Sequence, residues 1–349
     1  MALPEIYMQR CLELAALGAG KVSPNPMVGA VIVCEDRIIG EGYHQKYGEA
    51  HAEVNAVKMV TDNYINYADL LKKSTIYVSL EPCAHHGKTP PCADLIIKHQ
   101  IPHVIVGCRD PFPLVDGKGI EKLKHAGIKV TVGLLEAECL AINKRFFTRV
   151  KKQRPYIILK WAQTTDGFFA PADGSQHWIT GAESRKLVHQ WRSEEDAILV
   201  GKNTVMADNP QLNVRYAAGT PPKRIVIDRN LELDTALNVF DNTVETIVFN
   251  EKKFAIEGNI KYIQLESFDY YVPQYIMYQL YLQDIQSVII EGGATTLQHF
   301  IKAGLWDEAR VFTGESMLNN GIRSPFITGI KTGNYKLGND RLQIWTNPH

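Results

Sequence analysis

The sequence has few cysteines, no long hydrophobic run and no excess of charge of either sign. Six cysteines in 349 residues are too few for the disulfide framework of a small secreted protein. No run approaches the roughly 18 apolar residues that a membrane-spanning helix needs. Glu5, Arg10 and Glu13 interrupt the apolar stretch that a signal peptide would require. These absences predict a protein of the reducing cytoplasm that has no membrane partner.

The charge balance narrows the class of binding partner. Lys+Arg and Asp+Glu are both 38, so the formal net charge is zero. Proteins that bind nucleic acid normally carry a basic excess or a basic stripe, and this sequence has neither. The G-x-G-x-x-G fingerprint after a strand is also missing, which argues against a Rossmann domain but not against a nucleotide cofactor. We therefore expect a small-molecule partner and no nucleic acid.

Length and hydrophobic pattern predict two α/β domains. At roughly 150 residues per domain, 349 residues favour two. In the first half the pattern predicts helices and strands at 4–19, 28–34, 51–60, 75–80, 92–99, 103–107, 118–126 and 128–132. The second half is predicted to have strands and one further helix at 156–161, 196–200, 224–227, 245–249, 286–290, 294–303 and 308–313. This alternation is typical of a mainly parallel sheet covered on both faces.

A change of composition suggests where the two domains meet. Residues 148–155 form a short, basic stretch with few apolar side chains, which is typical of a linker, and a new strand begins just after it. We therefore expect domains at 1–147 and 148–349.

Four residues of the first half have the types and spacing of a catalytic zinc site. His51 and Cys92 are predicted to begin helices, and Cys83 follows a strand, so one imidazole and two thiolates converge. Three protein ligands leave one zinc position open for water, whose pKa the metal lowers. Glu53, two residues beyond His51, is placed to move a proton from that water to a leaving amine.

The spacing of the cysteines separates this site from the common deaminase signature. Zinc-dependent base deaminases carry H-x-E followed by P-C-x-x-C, whereas here eight residues lie between Cys83 and Cys92. That insert includes His85, Lys88 and Thr89, which suit a sugar-phosphate substrate. Two alternatives remain open. One is a nucleoside or tRNA deaminase fused to an unrelated domain. The other is a non-catalytic, zinc-stabilised module, against which the free carboxylate of Glu53 argues.

Longer motifs carry a family resemblance over both halves, namely Ser23–Val33, Gly42–His44, Gly48–Glu53, Glu81–Cys92, Lys160–Gly167, Trp178–Gly181, Val200–Val205, Asp208–Arg215 and Glu291–Gly293. In these motifs the sequence resembles the bifunctional deaminase/reductase family of riboflavin biosynthesis. The resemblance implies an N-terminal cytidine-deaminase-like three-layer α/β/α domain and a C-terminal dihydrofolate-reductase-like α/β domain. It also implies zinc-dependent hydrolytic deamination of 2,5-diamino-6-(5-phosphoribosylamino)pyrimidin-4(3H)-one. NADPH-dependent reduction of the ribosyl side chain to ribityl would follow.

The resemblance also assigns residues by position. It implies substrate contacts from Asn25, His44, His85, Lys88, Asp110, Gln176, Arg192, Leu212, Arg215 and Glu291. It implies cofactor contacts from Ala162, Trp178, Thr204, Asp208 and the 293–299 turn, which includes Gly293, Ala294, Thr295 and Thr296. Lys160 is a candidate for opening the ribose ring or donating a proton. Arg229, just after a predicted strand, is a candidate for reading the 2′-phosphate of NADPH.

The chain departs from the family pattern at several positions. Phe112 stands where the family usually has asparagine, Gln176 replaces a serine, and Asn209 replaces an aspartate. These departures leave open a narrower alternative, in which only the deaminase half is active. We further expect a homo-oligomer, either a dimer or a tetramer.

Overall fold

A computed structural model describes residues 3–85, 90–173, 175 and 177–348 of the chain. The chain divides into two compact units, Met1–Lys152 and Gln153–His349. Within the described residues, no helix is long and apolar enough to cross a bilayer.

The first unit is a five-stranded sheet with helices on both faces. Its elements in chain order are α1 (Pro4–Ala16), β1 (Gly29–Cys34), β2 (Arg37–Tyr43), α2 (Ala52–Asn63), α3 (Tyr67–Leu71), β3 (Thr75–Leu80), α4 (Cys92–Lys98), β4 (His103–Cys108), α5 (Lys118–His125), β5 (Lys129–Val132), α6 (Glu136–Ile142) and α7 (Lys144–Lys152).

The order of the strands is β2-β1-β3-β4-β5, and only β3, β4 and β5 are parallel. The expectation of a mainly parallel sheet is wrong for the β2-β1-β3 part of this sheet. There, β1 runs antiparallel to both β2 and β3. A tight turn at Glu35 and Asp36, both with positive φ, joins β1 directly to β2. Because a hairpin of this length can only reverse the chain, it imposes antiparallel pairing.

Side chains of β1 alternate between two cores, and this alternation places the strand in the middle layer. Ala30 and Ile32 pack with α2 and α4, whereas Val31 and Val33 pack with α1 and with Phe146 of α7. The run of β-branched residues therefore forms a strand buried on both faces. Helix α1 crosses very close to it, since a Cβ on Gly29 would lie 2.0 Å from the carbonyl oxygen of Cys11.

The predicted linker is wrong over residues 148–152, which form the end of α7. The basic stretch is helical because Phe146 and Phe147 bury one side of α7 in the core of this unit. Its cationic last turn also lies at the negative end of the helix dipole.

The second unit is built on a ten-stranded sheet. Its elements are β6 (Tyr156–Gln163), β7 (Phe168–Ala170), α8 (Ala182–Glu194), β8 (Ala197–Gly201), α9 (Lys202–Asp208), β9 (Lys223–Ile227), a 3-10 turn (Asn238–Phe240), β10 (Thr246–Asn250), β11 (Ala255–Glu257), β12 (Ile260–Gln264), α10 (Val272–Leu282), β13 (Ser287–Ile290), α11 (Ala294–Lys302), β14 (Glu308–Thr313), β15 (Ile322–Arg323), β16 (Ile330–Leu337) and β17 (Asp340–Thr346).

The sheet has the order β11-β12-β10-β9-β8-β13-β6-β14-β17-β16 and is parallel from β12 to β14. Antiparallel strands complete it at both edges. Near the edge formed by β16, the side chain of Asp340 on β17 contacts the start of α8. One oxygen of its carboxylate accepts hydrogen bonds from the Gly181 amide at 2.8 Å and the Ser184 hydroxyl at 2.5 Å. This carboxylate therefore caps the helix that carries Arg192.

Candidate active sites

Residues predicted to form the first site collect at one edge of the first sheet. Cys83 follows β3 and Asp110 follows β4, and these two strands are parallel. His44 follows β2, which points the same way, and Asn25 precedes the antiparallel β1. The sheet topology therefore brings these four side chains to the edge at which β2, β3 and β4 end.

The three predicted zinc ligands form a compact group. His51 is the N-cap residue of α2, and Cys92 is the first residue of α4. Nδ1 of His51 lies 3.3 Å from Sγ of Cys92 and 3.7 Å from Sγ of Cys83, and the three ligand atoms lie within 4.8 Å of one another. A tetrahedral zinc separates such nitrogen and sulfur ligands by about 3.6 Å. The geometry of the triad therefore fits a zinc ion.

The chemistry of this donor set also fits zinc. The pKa of Cys83 is lowered to about 4 because the Cys92 thiol and His51 hydrogen-bond to its sulfur. The backbone N–H of Cys92, at the start of α4, also donates to this sulfur at 3.3 Å. Cys83 is thus poised as a thiolate, the form in which cysteine binds zinc.

Glu53 is buried in the first turn of α2, where only 3% of it is exposed. Burial raises the pKa of its carboxyl group above the ordinary value. Its side chain hydrogen-bonds to Cys92 but is not one of the three ligands. A buried carboxyl group beside three residues that would hold zinc has the character required of a proton carrier.

His44 and Asn25 form a hydrogen-bonded pair beside the triad. Nδ1 of His44 lies 3.1 Å from the carbonyl oxygen of Ala50, which can only accept, so Nδ1 carries the proton. Nε2 then accepts from the Asn25 amide, also at 3.1 Å. Burial lowers the pKa of His44, so its ring is neutral, and it lies edge-on to His51 with 5.4 Å between the ring centroids.

His85 and Asp110 approach the same edge from the other side. Nδ1 of His85 is buried and has no hydrogen-bond partner among the described residues, and its ring lies 6.2 Å from that of Phe112. Burial raises the pKa of Asp110 to about 7, and its Oδ1 accepts a hydrogen bond from the Phe112 amide at 2.8 Å. Lys88 lies outside the described residues.

In the second unit, Lys160, Arg192 and Glu291 form a buried charge cluster. The Arg192 guanidinium donates twice to Glu291, from Nε at 3.1 Å and from Nη2 at 2.8 Å. Nζ of Lys160 lies 3.5 Å from the same carboxylate. Although burial opposes ionisation, Arg192 and then Lys160 hold the pKa of Glu291 at about 2. The cluster carries a net positive charge directly after the carboxyl end of β13.

One histidine that the sequence did not single out, His189, accepts a hydrogen bond from the segment that carries Arg215. Nδ1 of His189, on α8, accepts a hydrogen bond from the backbone amide of Arg215 at 3.1 Å. Burial, with Arg192 and Arg215 nearby, lowers the pKa of His189 to about 4, so it stays neutral. The Arg215 side chain is exposed, and Leu212 beside it is buried with positive φ. The position of His189 one turn before Arg192 was the available signal.

A cavity of about 270 Å³ opens at the ends of β8 and β9 and at Gly293, which follows β13. At its polar end, the Gly293 amide donates to Oγ1 of Thr204 at 2.8 Å. Five of the predicted cofactor residues line this cavity, namely Thr204, Arg229, Gly293, Thr295 and Thr296. The cavity joins an apolar wall to the turn at the start of α11, an arrangement suited to a phosphorylated nucleotide.

The other predicted cofactor residues have different surroundings. Arg229 pairs with both Glu251, at 2.8 Å, and Asp269, at 3.0 Å. The ring of Trp178 is largely exposed and stacks under Arg185, at 5.3 Å. Ala162 lies on β6, Ala294 begins α11 and Asp208 ends α9. Gln176 lies outside the described residues.

Both units match family models. Residues 1–108 match the cytidine and deoxycytidylate deaminase zinc-binding region, and residues 155–329 match the RibD C-terminal domain. The riboflavin biosynthesis protein RibD of Aquifex aeolicus (strain VF5) is 43% identical over 324 residues, which cover 90% of this chain and 88% of that protein. RibD of Escherichia coli (strain K12) is 36% identical over 335 residues, covering 91% and 89%.

Solved structures agree over nearly the whole chain. The crystal structure of a diaminohydroxyphosphoribosylaminopyrimidine deaminase/5-amino-6-(5-phosphoribosylamino)uracil reductase from Thermotoga maritima matches with a TM-score of 0.89. It is 35% identical, and 98% of both chains is covered. Acinetobacter baumannii RibD, form 1, has the same TM-score of 0.89 at 33% identity, with 99% of both chains covered.

These matches confirm the family resemblance, the cytidine-deaminase-like first domain and the use of zinc and NADPH. They do not favour a nucleoside or tRNA deaminase fused to an unrelated domain, because the second half is itself a RibD reductase domain. The chain belongs to the RibD family, the bifunctional deaminase/reductase enzymes of riboflavin biosynthesis.

Proposed function

We propose that this chain deaminates 2,5-diamino-6-(5-phosphoribosylamino)pyrimidin-4(3H)-one and then reduces the ribosyl side chain of the product. The deaminase is proposed for the first unit and the reductase for the second. The boundary expected at 147/148 moves to 152/153, because α7 continues to Lys152. The observation that carries the first activity is the buried Glu53 beside a triad with zinc-ligand spacing. The second activity is supported by the charged Glu291 cluster and by the cavity that Gly293, two residues further along the chain, helps to line.

In the deaminase site, Glu53 moves the proton. Zinc held by His51, Cys83 and Cys92 would supply a water of lowered pKa. The Glu53 carboxylate takes a proton from the attacking water and delivers it to the departing amine nitrogen, so that water is consumed and ammonia released. Burial favours this cycle, because the raised pKa of Glu53 brings it closer to the working pH.

The remaining residues of this site orient the pyrimidine. The Asn25 amide and the neutral His44 ring present a fixed pair of polar groups beside the metal ligands. His85 brings a buried nitrogen that has no partner within residues 3–85 and the other described ranges, and burial raises the pKa of the Asp110 carboxyl group to about 7. Lys88 is proposed for the ribose phosphate.

In the reductase site, the protein mainly holds the cofactor and the substrate in the orientation that hydride transfer requires. NADPH in the cavity would supply the hydride. Nζ of Lys160 is the proposed proton donor as the ribose ring opens, held by Glu291 at 3.5 Å. Arg215, whose guanidinium is exposed, is proposed for the substrate phosphate, with Leu212 and Gln176 as further contacts. Arg192 is a further proposed substrate contact. Three of its five donors are used by Glu291 and the Asn213 carbonyl oxygen, so it also orients Glu291 while two donors remain for the substrate.

Other cofactor contacts are proposed from Ala162, Trp178, Asp208, Ala294 and Arg229. Arg229 is paired with two carboxylates. To bind the 2′-phosphate of NADPH, it must therefore give up one of these ion pairs. We also propose that the enzyme works in the cytoplasm as a homo-oligomer, a dimer or a tetramer. Sedimentation of the purified protein would give the oligomeric state directly.

Metal removal tests whether deamination requires zinc while the reduction by NADPH does not. Zinc-loaded protein is expected to release ammonia from the diaminopyrimidine substrate and then to oxidise NADPH. After chelation, ammonia release is expected to stop, while NADPH oxidation continues when the deaminated intermediate is supplied. Ammonia assay and absorbance at the nicotinamide band measure the two steps. Ammonia release by metal-free protein contradicts the deaminase mechanism, and failure to oxidise NADPH with the intermediate contradicts the reductase activity.

Thr204 offers a test of the cofactor cavity. Thr204→Val removes the acceptor for the Gly293 amide at the proposed phosphate-binding turn. Because one hydrogen bond contributes about 0.5–1.5 kcal/mol and Thr204 is itself a proposed cofactor contact, we expect the KM for NADPH to rise up to about tenfold. Thr204→Ser keeps the hydroxyl and serves as the control, with a KM near that of the parent. Equal KM values for the valine and serine variants would show that this contact does not shape the cofactor site.

A further inference from the structure

The carboxylate of Glu81 is buried among backbone amides, although no role was assigned to it from the sequence. Only 4% of the residue is exposed. Its Oε1 accepts hydrogen bonds from the amides of Gly119 at 3.0 Å and Ile120 at 3.2 Å. Its Oε2 accepts from Gly117 at 3.0 Å and Asp110 at 3.3 Å. One side chain thus binds four backbone donors from the loop after β4 and the start of α5.

These bonds join two segments that the sequence separates widely. Glu81 follows β3 and is two residues before the ligand Cys83, whereas its donors lie at both ends of the 110–120 segment. The segments also touch directly, since a Cβ on Gly119 would lie 1.9 Å from the carbonyl oxygen of Pro82. Because charge-assisted hydrogen bonds are stronger than neutral ones, the carboxylate holds the two segments in one relative position.

The held segment carries a residue of the site. The backbone amide of Asp110 donates a hydrogen bond to Glu81. Oδ1 of Asp110 in turn accepts a hydrogen bond from the backbone amide of Phe112 at 2.8 Å. The direction of the Asp110 carboxyl group is therefore fixed by the backbone that Glu81 holds. The distance from Asp110 to Cys83 depends on the same four bonds.

We propose that Glu81 is a positioning residue of the deaminase, which sets Asp110 relative to the metal ligands without touching the substrate. This inference rests on the proposed deamination and on the proposed substrate contact of Asp110. It assigns to Glu81 an effect on substrate binding rather than on the zinc ion.

The test is the variant Glu81→Gln, in which an amide group replaces one acceptor oxygen and faces N–H donors. We expect it to keep one zinc ion per chain and to raise the KM for deamination about tenfold, with a smaller change in kcat. Glu121→Gln, the same substitution on the exposed side of α5, is the matched control and should match the parent. NADPH oxidation with the deaminated intermediate should be unchanged in both variants.

A double-variant cycle separates positioning from a merely structural role. If Glu81 acts through Asp110, adding Glu81→Gln to Asp110→Asn should raise the KM little further than Asp110→Asn alone. Multiplicative effects of the two substitutions, loss of zinc from Glu81→Gln, or an unchanged KM would each overturn the proposal. Absence of deamination by the unsubstituted, zinc-loaded enzyme would instead refute the proposed function itself.

Discussion

Replacing Glu53 with glutamine should reduce kcat for deamination by about 10²–10⁴-fold, the range that a positioned general acid–base group contributes. The amide has nearly the same shape but cannot carry the proton from water to the departing amine. Because Glu53 is not one of the three grouped ligands, zinc content should stay at one ion per chain. Ammonia release with saturating substrate measures the effect, and metal analysis of the same sample verifies the zinc.

Two controls keep this result specific. Glu5→Gln makes the same change on the exposed side of α1 and should leave deamination unaffected. Reduction of the deaminated intermediate should proceed at the parent rate in Glu53→Gln, because the reductase residues lie in the other unit. A Glu53→Gln protein with zinc bound and full turnover would refute Glu53 as the proton carrier.

The second large effect is expected at Glu291. Glu291→Gln removes the charge that compensates Arg192 and Lys160 in a buried cluster. Removing one partner of a buried ion pair costs about 3–5 kcal/mol, and the proposed proton donor Lys160 loses its anchor. We therefore expect the reductase rate to fall at least about 100-fold and the second unit to unfold at a lower urea concentration.

Tryptophan fluorescence measures this loss in the second unit alone, because all five tryptophans of the chain follow residue 152. Glu257→Gln, which removes an exposed ion pair with Lys253, is the control. It should change stability by less than about 1 kcal/mol. Equal unfolding midpoints for the two variants would show that the Glu291 cluster contributes nothing to stability.

The pH dependence of stability has a definite sign at this cluster. The pKa of Glu291 is about 2 in the folded protein and 4.5 ordinarily, so its stabilising contribution is complete above pH 4.5. It is lost as the pH falls from 4.5 towards 2. A shift of this size corresponds to about 3 kcal/mol, and Glu291→Gln should lack this part of the acid dependence.

The sequence predicted the parts of the fold that depend on local pattern. Buried runs such as Val28–Cys34 and helix starts such as Cys92 after two prolines were found at nearly their observed positions. The hairpin strand Arg37–Tyr43 was missed because its two glycines and exposed first residues weaken the apolar alternation. The helix end at 148–152 was missed because its burial comes from Phe146 and Phe147, one turn earlier.

The grouping of His51, Cys83 and Cys92 could be predicted because ligand types and spacing are visible in the chain itself. Glu81 could not, because its backbone donors lie far away in sequence. The only signal for His189 was its position one turn before Arg192. No pattern of residue types in the sequence indicates that one carboxylate accepts hydrogen bonds from four backbone amides. The pairing of Arg192 with Glu291 was likewise hidden, since 99 residues separate the two.

The cap that Asp340 provides to α8 has a consequence for the order in which the enzyme matures during synthesis. Gly181 and Ser184 are translated 159 and 156 residues before their partner. The helix that carries Arg192 therefore emerges from the ribosome uncapped and gains its final anchor only when β17 pairs with β14. The proposed zinc ligands, which all precede residue 93, can come together long before that moment. A nascent chain thus acquires the deaminase centre first, in the same order as the two chemical steps.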